Sequence, residues 1–189
     1  MDLAKVVVLP LSALWALSEC GVLLATYSRR EARRHDRNSL FIGVGGTLLA
    51  IAAALICWWK GIGRFAFEHP ALPVAGIVLV VAGIGLRWSA ILTLRRFFTI
   101  HVAIQEGHEL ITAGVYRFMR HPGYSGSLLS LLGIGIALQN WPCLLVLVGI
   151  PLAVLLFRIR VEEAALTAAF GATYRDYCRR TARLIPGVF

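Results

Sequence analysis

Apolar residues run through this chain in long blocks, not at the three-to-four spacing of an amphipathic helix or the alternation of a half-buried strand. Residues 3–27, 40–59 and 70–94 form three such blocks. Each has about the 20 residues that a helix needs to cross a hydrocarbon layer. A fourth block, 125–157, is longer and is interrupted at Gln139-Asn140-Trp141-Pro142. A polar turn closed by a proline there predicts a tight hairpin of two short helices. The pattern therefore predicts an all-α fold, a polytopic membrane helix bundle with five transmembrane helices. Residues 1–94 would be an N-terminal three-helix membrane region. Residues 95–189 would hold a polar loop, the hairpin and a helical tail. The first block has no small-residue cleavage pattern and runs straight into Arg29-Arg30, so it reads as a retained anchor. Gly43, Gly45 and Gly46 lie inside the second block and read as a site of close helix packing.

Composition agrees with this and removes one function class. The 189 residues are 58% hydrophobic, with a mean hydropathy of +0.74, too much apolar surface for a soluble domain to hide. The net charge of +9 would suit nucleic acid, but the arginines flank the apolar blocks, so nucleic acid is not expected as a partner. Their distribution sets an orientation instead. Segment 28–39 holds five Lys or Arg, segment 95–124 four, and the tail from Arg158 six. With the N-terminus outside, 15 collect on the cytoplasmic side and 3 on the other, while Arg87 lies within a block. Segments 95–124 and 158–189 then share the cytoplasmic face. Cys20, Cys57, Cys143 and Cys178 form no CxxC pair, so neither a metal site nor a disulfide framework is expected.

Segment 95–124 is longer than a plain connection between membrane helices and carries the polar chemistry. His101, Gln105, His108, Tyr116, His121 and Tyr124 can all hydrogen-bond a polar ligand. Pro122 fits the first turn of the next helix, with His121 near its N-cap. In the tail, Arg158 and Glu162 are four apart, hence on one helix face if the helix runs on, and Leu166 and Phe170 extend that stripe. Spacing alone also allows a snorkelling arginine and a solvated pair. Glu19 and Arg87 are the charges inside blocks, each costing about 2.5–3.5 kcal/mol near a bilayer centre. Glu19 precedes Tyr27 by eight residues and Arg87 precedes Leu94 by seven, which puts both about 11–12 Å from the ends of their helices. Three readings stay open: an ion pair between the first and third helices, a lining for a path from the bilayer, and an arginine snorkelling to the interface.

Gly114-Val115-Tyr116, followed by Arg120-His121-Pro122-Gly123-Tyr124-Ser125-Gly126, resembles the Gly-x-Tyr…Arg-His-Pro-x-Tyr-x-Gly signature of the isoprenylcysteine carboxyl methyltransferase family. The tail is similar to the same family in Glu162-Glu163, Leu166, Phe170-Gly171, Tyr174 and Tyr177, ending in Arg183-Leu184-Ile185-Pro186. The likeness covers about residues 99–187. It implies an integral membrane enzyme with S-adenosyl-L-methionine as cofactor, held where the tail folds over the long loop. It implies cofactor contacts from Gln105, from His108, Glu109, Leu110 and Ile111, from Tyr116, and from His121, Pro122, Gly123 and Tyr124. It implies catalytic roles for Glu162, touching the cofactor, and Arg158, facing a lipid-like methyl acceptor within the membrane lipids. Methyl transfer from a sulfonium is an in-line displacement that needs alignment and desolvation, so no metal is expected. A carboxylate acceptor needs orientation, which Arg158 can give, whereas an amine acceptor needs a base, for which Glu162 is the candidate. The competing classes are a phospholipid N-methyltransferase, a nicotinamide-dependent membrane reductase, and a non-enzymatic membrane protein.

Overall fold

The structure is a computed structural model and describes residues 3–27, 37–66, 69–98 and 109–189. It is all-helical among these residues. Helix α1 spans Leu3–Tyr27, α2 Arg37–Trp59, α3 Ala71–Leu94, α4 Pro122–Ala137, α5 Trp141–Phe170 and α6 Ala172–Arg180. Short 3-10 turns occupy Arg95–Phe97 and Gly114–Arg117. Among the described residues, α3 and α5 are long and apolar enough to cross a membrane, and Gly45–Trp59 is a shorter apolar helix.

The hairpin lies where the polar turn predicts it. Asn140 caps α5: its side chain accepts from the Cys143 amide at 3.0 Å and donates to the Ile62 carbonyl at 2.7 Å. The Trp141 amide donates to the Gly63 carbonyl at 3.0 Å and the Phe65 amide to the Gln139 carbonyl at 2.8 Å. The loop after α2 and the hairpin turn therefore close one end of the bundle together. The second arm is not short. Helix α5 has 30 residues and runs past Phe157, because the stretch 158–170 is rich in alanine, glutamate and arginine, which favour a helix. Gly171 stops it at φ 54°, a conformation that suits glycine.

Close packing is set by glycines seven residues apart on two facing helices. A Cβ on Gly83 would lie 2.5 Å from the Gly126 carbonyl oxygen, and one on Gly126 would lie 2.5 Å from the Gly83 carbonyl oxygen. The same holds one heptad on, where a Cβ on Gly76 would lie 2.5 Å from the Gly133 oxygen. Helices α3 and α4 thus touch backbone to backbone, as small residues permit in membrane bundles. Ser130, on α4 between the two contacts, donates to the Gly126 carbonyl at 3.0 Å. Helix α2 packs along α5, where a Cβ on Gly46 would meet the Val154 side chain at 2.9 Å, whereas Gly45 has nothing within 4 Å. The close packing expected of this glycine group therefore rests on Gly46; the side chain of residue 43 lies outside the described set.

Leu11, Trp15, Ala54, Val80, Leu131, Ile134, Ala137, Cys143 and Leu147 bring α1 to α5 into one core. Leu17, Val78, Leu92 and Leu145 face outward with more than half their surface exposed, an apolar exterior suited to lipid.

The glycine seam gives a direct test. Gly83→Ala or Gly126→Ala should destabilise the protein by about 1–3 kcal/mol through overpacking against backbone that cannot yield. Gly85→Ala, at a position with nothing within 4 Å, should hold or raise stability. Thermal unfolding in detergent of the three variants beside the parent measures the difference.

Candidate active site at the start of α4

The end of the bundle opposite the hairpin turn holds the two motif blocks. Gly114 begins the first with φ 59°, and a Cβ there would lie 3.1 Å from Thr93 Oγ1, so the turn needs glycine twice over. Tyr116 follows in the 3-10 turn and is buried. Burial and the nearby Glu162 charge push its phenol well above the ordinary tyrosine value. Its carbonyl accepts from the Tyr177 hydroxyl at 2.7 Å. Burial likewise pushes the Tyr177 phenol up to about 12, so it stays a proton donor at any working pH.

Pro122 occupies the first turn of α4 as its fixed φ favours, and His121 is the N-cap residue, buried at 5% exposure. The Tyr124 and Ser125 amides donate to the His121 carbonyl at 3.0 and 3.1 Å. This turn aims Tyr124 at α5. Its hydroxyl donates to Glu162 Oε2 at 2.9 Å, and the buried Arg158 guanidinium hydrogen-bonds the same phenol. The rings of His121 and Tyr124 stack at 5.5 Å with an interplanar angle of 10°. His121 Nδ1 lies 3.7 Å from Glu162 Oε2. Continuous helix through residue 170 puts Arg158 and Glu162 on one face, and that face meets the first turn of α4.

The tail is tied to this turn by Glu163, a residue of the tail motif to which the sequence assigned no role. Arg120 Nε donates to Glu163 Oε1 at 2.8 Å, Arg183 Nε to Oε2 at 3.1 Å, and His121 Nε2 lies 3.4 Å from Oε1. Arg120 also donates to the carbonyls of Cys178 and Thr181. Backbone bonds finish the strap: Arg120 N to the Ala182 carbonyl at 2.8 Å, His121 N to the Arg183 carbonyl at 3.1 Å, and Ala182 N to the Phe118 carbonyl at 3.2 Å. Ser125 Oγ donates to the Leu184 carbonyl at 2.7 Å. The cue was available: an acid directly after Glu162, with Arg120 beside the His-Pro pair.

Of the residues singled out from sequence, Tyr116, His121, Pro122, Gly123, Tyr124, Arg158 and Glu162 are brought to one end of the bundle. Glu109 is exposed, Leu110 and Ile111 are half-buried, and all three lie in the irregular stretch that leads into Gly114. Gln105 and His108 lie outside the described residues, as does His101. Glu19 and Arg87 form the ion pair that was one of three open readings: Arg87 Nη2 donates to Glu19 Oε2 at 2.6 Å, and Nε lies 2.6 Å from Oε1. Arg87 Nη1 donates to the Gly123 carbonyl at 3.1 Å, which carries the pair to the edge of the site.

Similar proteins point one way. Residues 76–168 match the sequence model of the isoprenylcysteine carboxyl methyltransferase (ICMT) family. The chain is 39% identical over 131 residues to a probable protein-S-isoprenylcysteine O-methyltransferase of Oryza sativa subsp. indica, with 63% of each chain covered. It is 36% identical over 123 residues to protein-S-isoprenylcysteine O-methyltransferase B of Arabidopsis thaliana, covering 64% of this chain and 62% of that one. With the Homo sapiens protein-S-isoprenylcysteine O-methyltransferase it shares 33% over 123 residues, covering 61% of this chain and 41% of the relative. A solved structure of the eukaryotic intramembrane Ras methyltransferase ICMT superposes with a TM-score of 0.59 at 27% identity, covering 81% of this chain and 54% of that one. The chain thus spans a little under two thirds of the plant relatives' length and about two fifths of the human one's. The fold is similar to that of the solved ICMT structure, and the family likeness read from the two motif blocks is matched by the family model.

Glu163 supplies this subsection's test. Glu163→Ala strands Arg120 (9% exposed) without its carboxylate, and should cost about 3 kcal/mol of stability. Amide exchange at residues 181–185 should rise sharply, while residues 143–150 stay protected.

Proposed function

We propose, from its kinship with the isoprenylcysteine carboxyl methyltransferases, that this chain is an integral membrane methyltransferase using S-adenosyl-L-methionine and acting on the carboxylate of an isoprenylcysteine-like lipidic substrate. Five helices cross the membrane, with the N-terminus outside and the site at the cytoplasmic face. The lopsided arginine distribution supports the orientation. The observation that carries the activity is the convergence of Tyr124, Glu162 and Arg158, from two motif blocks, on the first turn of α4.

The donor set fits the cofactor. Glu162 is a partly exposed carboxylate, with 33% of its side chain accessible, and can hold a cationic group. Tyr116 and His121 form buried walls beside it. Gln105, His108, Glu109, Leu110, Ile111, Pro122 and Gly123 complete the cofactor pocket. When bound, S-adenosyl-L-methionine supplies a methyl group already activated by a sulfonium. The protein's part is to exclude water and to align the acceptor. Tyr124 fixes the Glu162 carboxylate, and Arg158, held by the same phenol, presents its guanidinium to an acceptor carboxylate. That carboxylate is ionised near neutral pH and needs no general base. A single charge-assisted contact from Arg158 orients it while leaving a lone pair to attack.

A methyl-transfer assay with prenylcysteine analogues beside phosphatidylethanolamine tests the reading. Methylation of the analogues alone is expected; methylation of phosphatidylethanolamine alone would replace it with an amine-acceptor enzyme. Arg158→Ala and Glu162→Ala should each abolish transfer in folded protein. Calorimetry with S-adenosylhomocysteine should separate them, with affinity lost in Glu162→Ala and kept in Arg158→Ala. Labelling of Cys178 from the cytoplasmic side only is the expected topology result.

A further inference from the structure

Helix α1 lies outside the stretch that matches the family model, residues 76–168, yet it places a charge at the centre of that stretch. Glu19 faces Arg87 through two contacts of 2.6 Å, with side-chain exposures of 24% and 15%. The remaining guanidinium nitrogen, Nη1, reaches the Gly123 carbonyl at 3.1 Å, and Ser127 Oγ donates to that same carbonyl at 3.3 Å. A second polar contact follows directly on α3, where Trp88 Nε1 donates to Ser18 Oγ at 2.8 Å.

Arg87 sits where a lone cation would not stay. The first turn of a helix is its positive end and opposes a cation. The surrounding spans are apolar, and an arginine on a long stem can swing toward the interface. Glu19 reverses this balance, because it neutralises Arg87 in place. The guanidinium donates to Glu19 through Nη2, keeps Nε within ion-pair distance of the other carboxylate oxygen, and holds Gly123 with Nη1. The Arg87 backbone cannot retreat either, since a Cβ on Gly126 would lie 2.7 Å from the Arg87 nitrogen. The ion pair is therefore a strut between α1 and the first turn of α4, and Tyr124 is the next residue after the carbonyl that it grips.

We propose that Glu19 is a positioning residue for the cofactor pocket. It holds Arg87 on the Gly123 carbonyl and so fixes the turn that aims His121 and Tyr124 at α5. Helix α1 is then a working part of the site as well as an anchor. The ligand-binding readout rests on the methyltransferase reading above; the exchange readout does not.

The experiment uses the full chain in nanodiscs. Glu19→Gln keeps the shape and removes the charge. It should weaken S-adenosylhomocysteine binding about tenfold, which corresponds to about 1.4 kcal/mol, and leave the acceptor KM at saturating cofactor unchanged. Ser18→Ala loses the neighbouring α1–α3 contact but no charge, and should bind as the parent does. In an Arg87→Gln background, Glu19→Gln should have no further effect, because Glu19 acts through Arg87. Hydrogen exchange of amides 123–127 should speed up in Glu19→Gln, while residues 143–150 do not change. That measurement needs no ligand, so absence of S-adenosylhomocysteine binding by the parent would sink the cofactor reading without touching the strut. Parent-like exchange at 123–127 in Glu19→Gln would overturn the proposal. So would parent-like binding, or losses in Ser18→Ala equal to those in Glu19→Gln.

Discussion

The contact on which the rest of this structure depends is the backbone seam between α3 and α4. At Gly83 and Gly126, and again at Gly76 and Gly133, no side chain separates the helices, and a single added carbon would collide with a carbonyl. Backbone atoms of the two helices thereby come into direct dispersion contact, which only residues this small permit. Its consequence for the site is geometrical. Arg87 lies four residues after Gly83, so the seam presses its backbone onto Gly126, and the guanidinium can reach back one turn to Gly123. A bundle spaced by larger residues would leave the start of α4, and with it Tyr124, without that grip.

A second constraint acts at the same end. Three side chains, Arg120, Arg183 and His121, converge on Glu163. Such a cluster is poor evidence for net stability, because each ion gives up hydration to join it. Its value is register. Glu163 is adjacent to Glu162 on α5, and Arg120 and His121 are adjacent to the turn that carries Tyr124. Pairing Glu163 with Arg120 therefore sets the position of Glu162 against Tyr124 to within a hydrogen bond. The tail from 181 to 185 becomes a strap over that junction through three backbone bonds, the Ser125 hydroxyl and the Arg120 guanidinium, which donates to Thr181.

Much of this was legible in the sequence, for identifiable reasons. The break at Gln139–Pro142, the proline opening α4 and the shared face of Arg158 and Glu162 follow from local rules, and local rules decide them. The Glu19–Arg87 pair was one of three readings, because matching depth is necessary for a pair but does not set the helices side by side. The seam was not legible. Gly76 and Gly83, or Gly126 and Gly133, look like any glycines in an apolar helix until the partner helix is known. Glu163 was overlooked for a related reason: its partners Arg120 and Arg183 lie 43 and 20 residues away, and only the folded tail brings them together. Gln105 and His108 rest on the motif likeness, since they lie outside the described residues.

The charges around the first turn of α4 bear on the kind of acceptor. Among the arginines and glutamates there, Arg87, Arg120, Arg158 and Arg183 stand against Glu19, Glu162 and Glu163, one positive charge in excess. Glu19 is occupied by Arg87, and Glu163 is shared by Arg120 and Arg183. The charge that remains beside Tyr124 is Arg158 with Glu162, and a cationic cofactor would draw on Glu162. Arg158 is buried beside them, and its guanidinium can orient an incoming carboxylate. An amine acceptor would add to the excess and would need Glu162 as its base, when that carboxylate is already the Tyr124 acceptor. The charges at this turn therefore agree with the carboxylate acceptor proposed above.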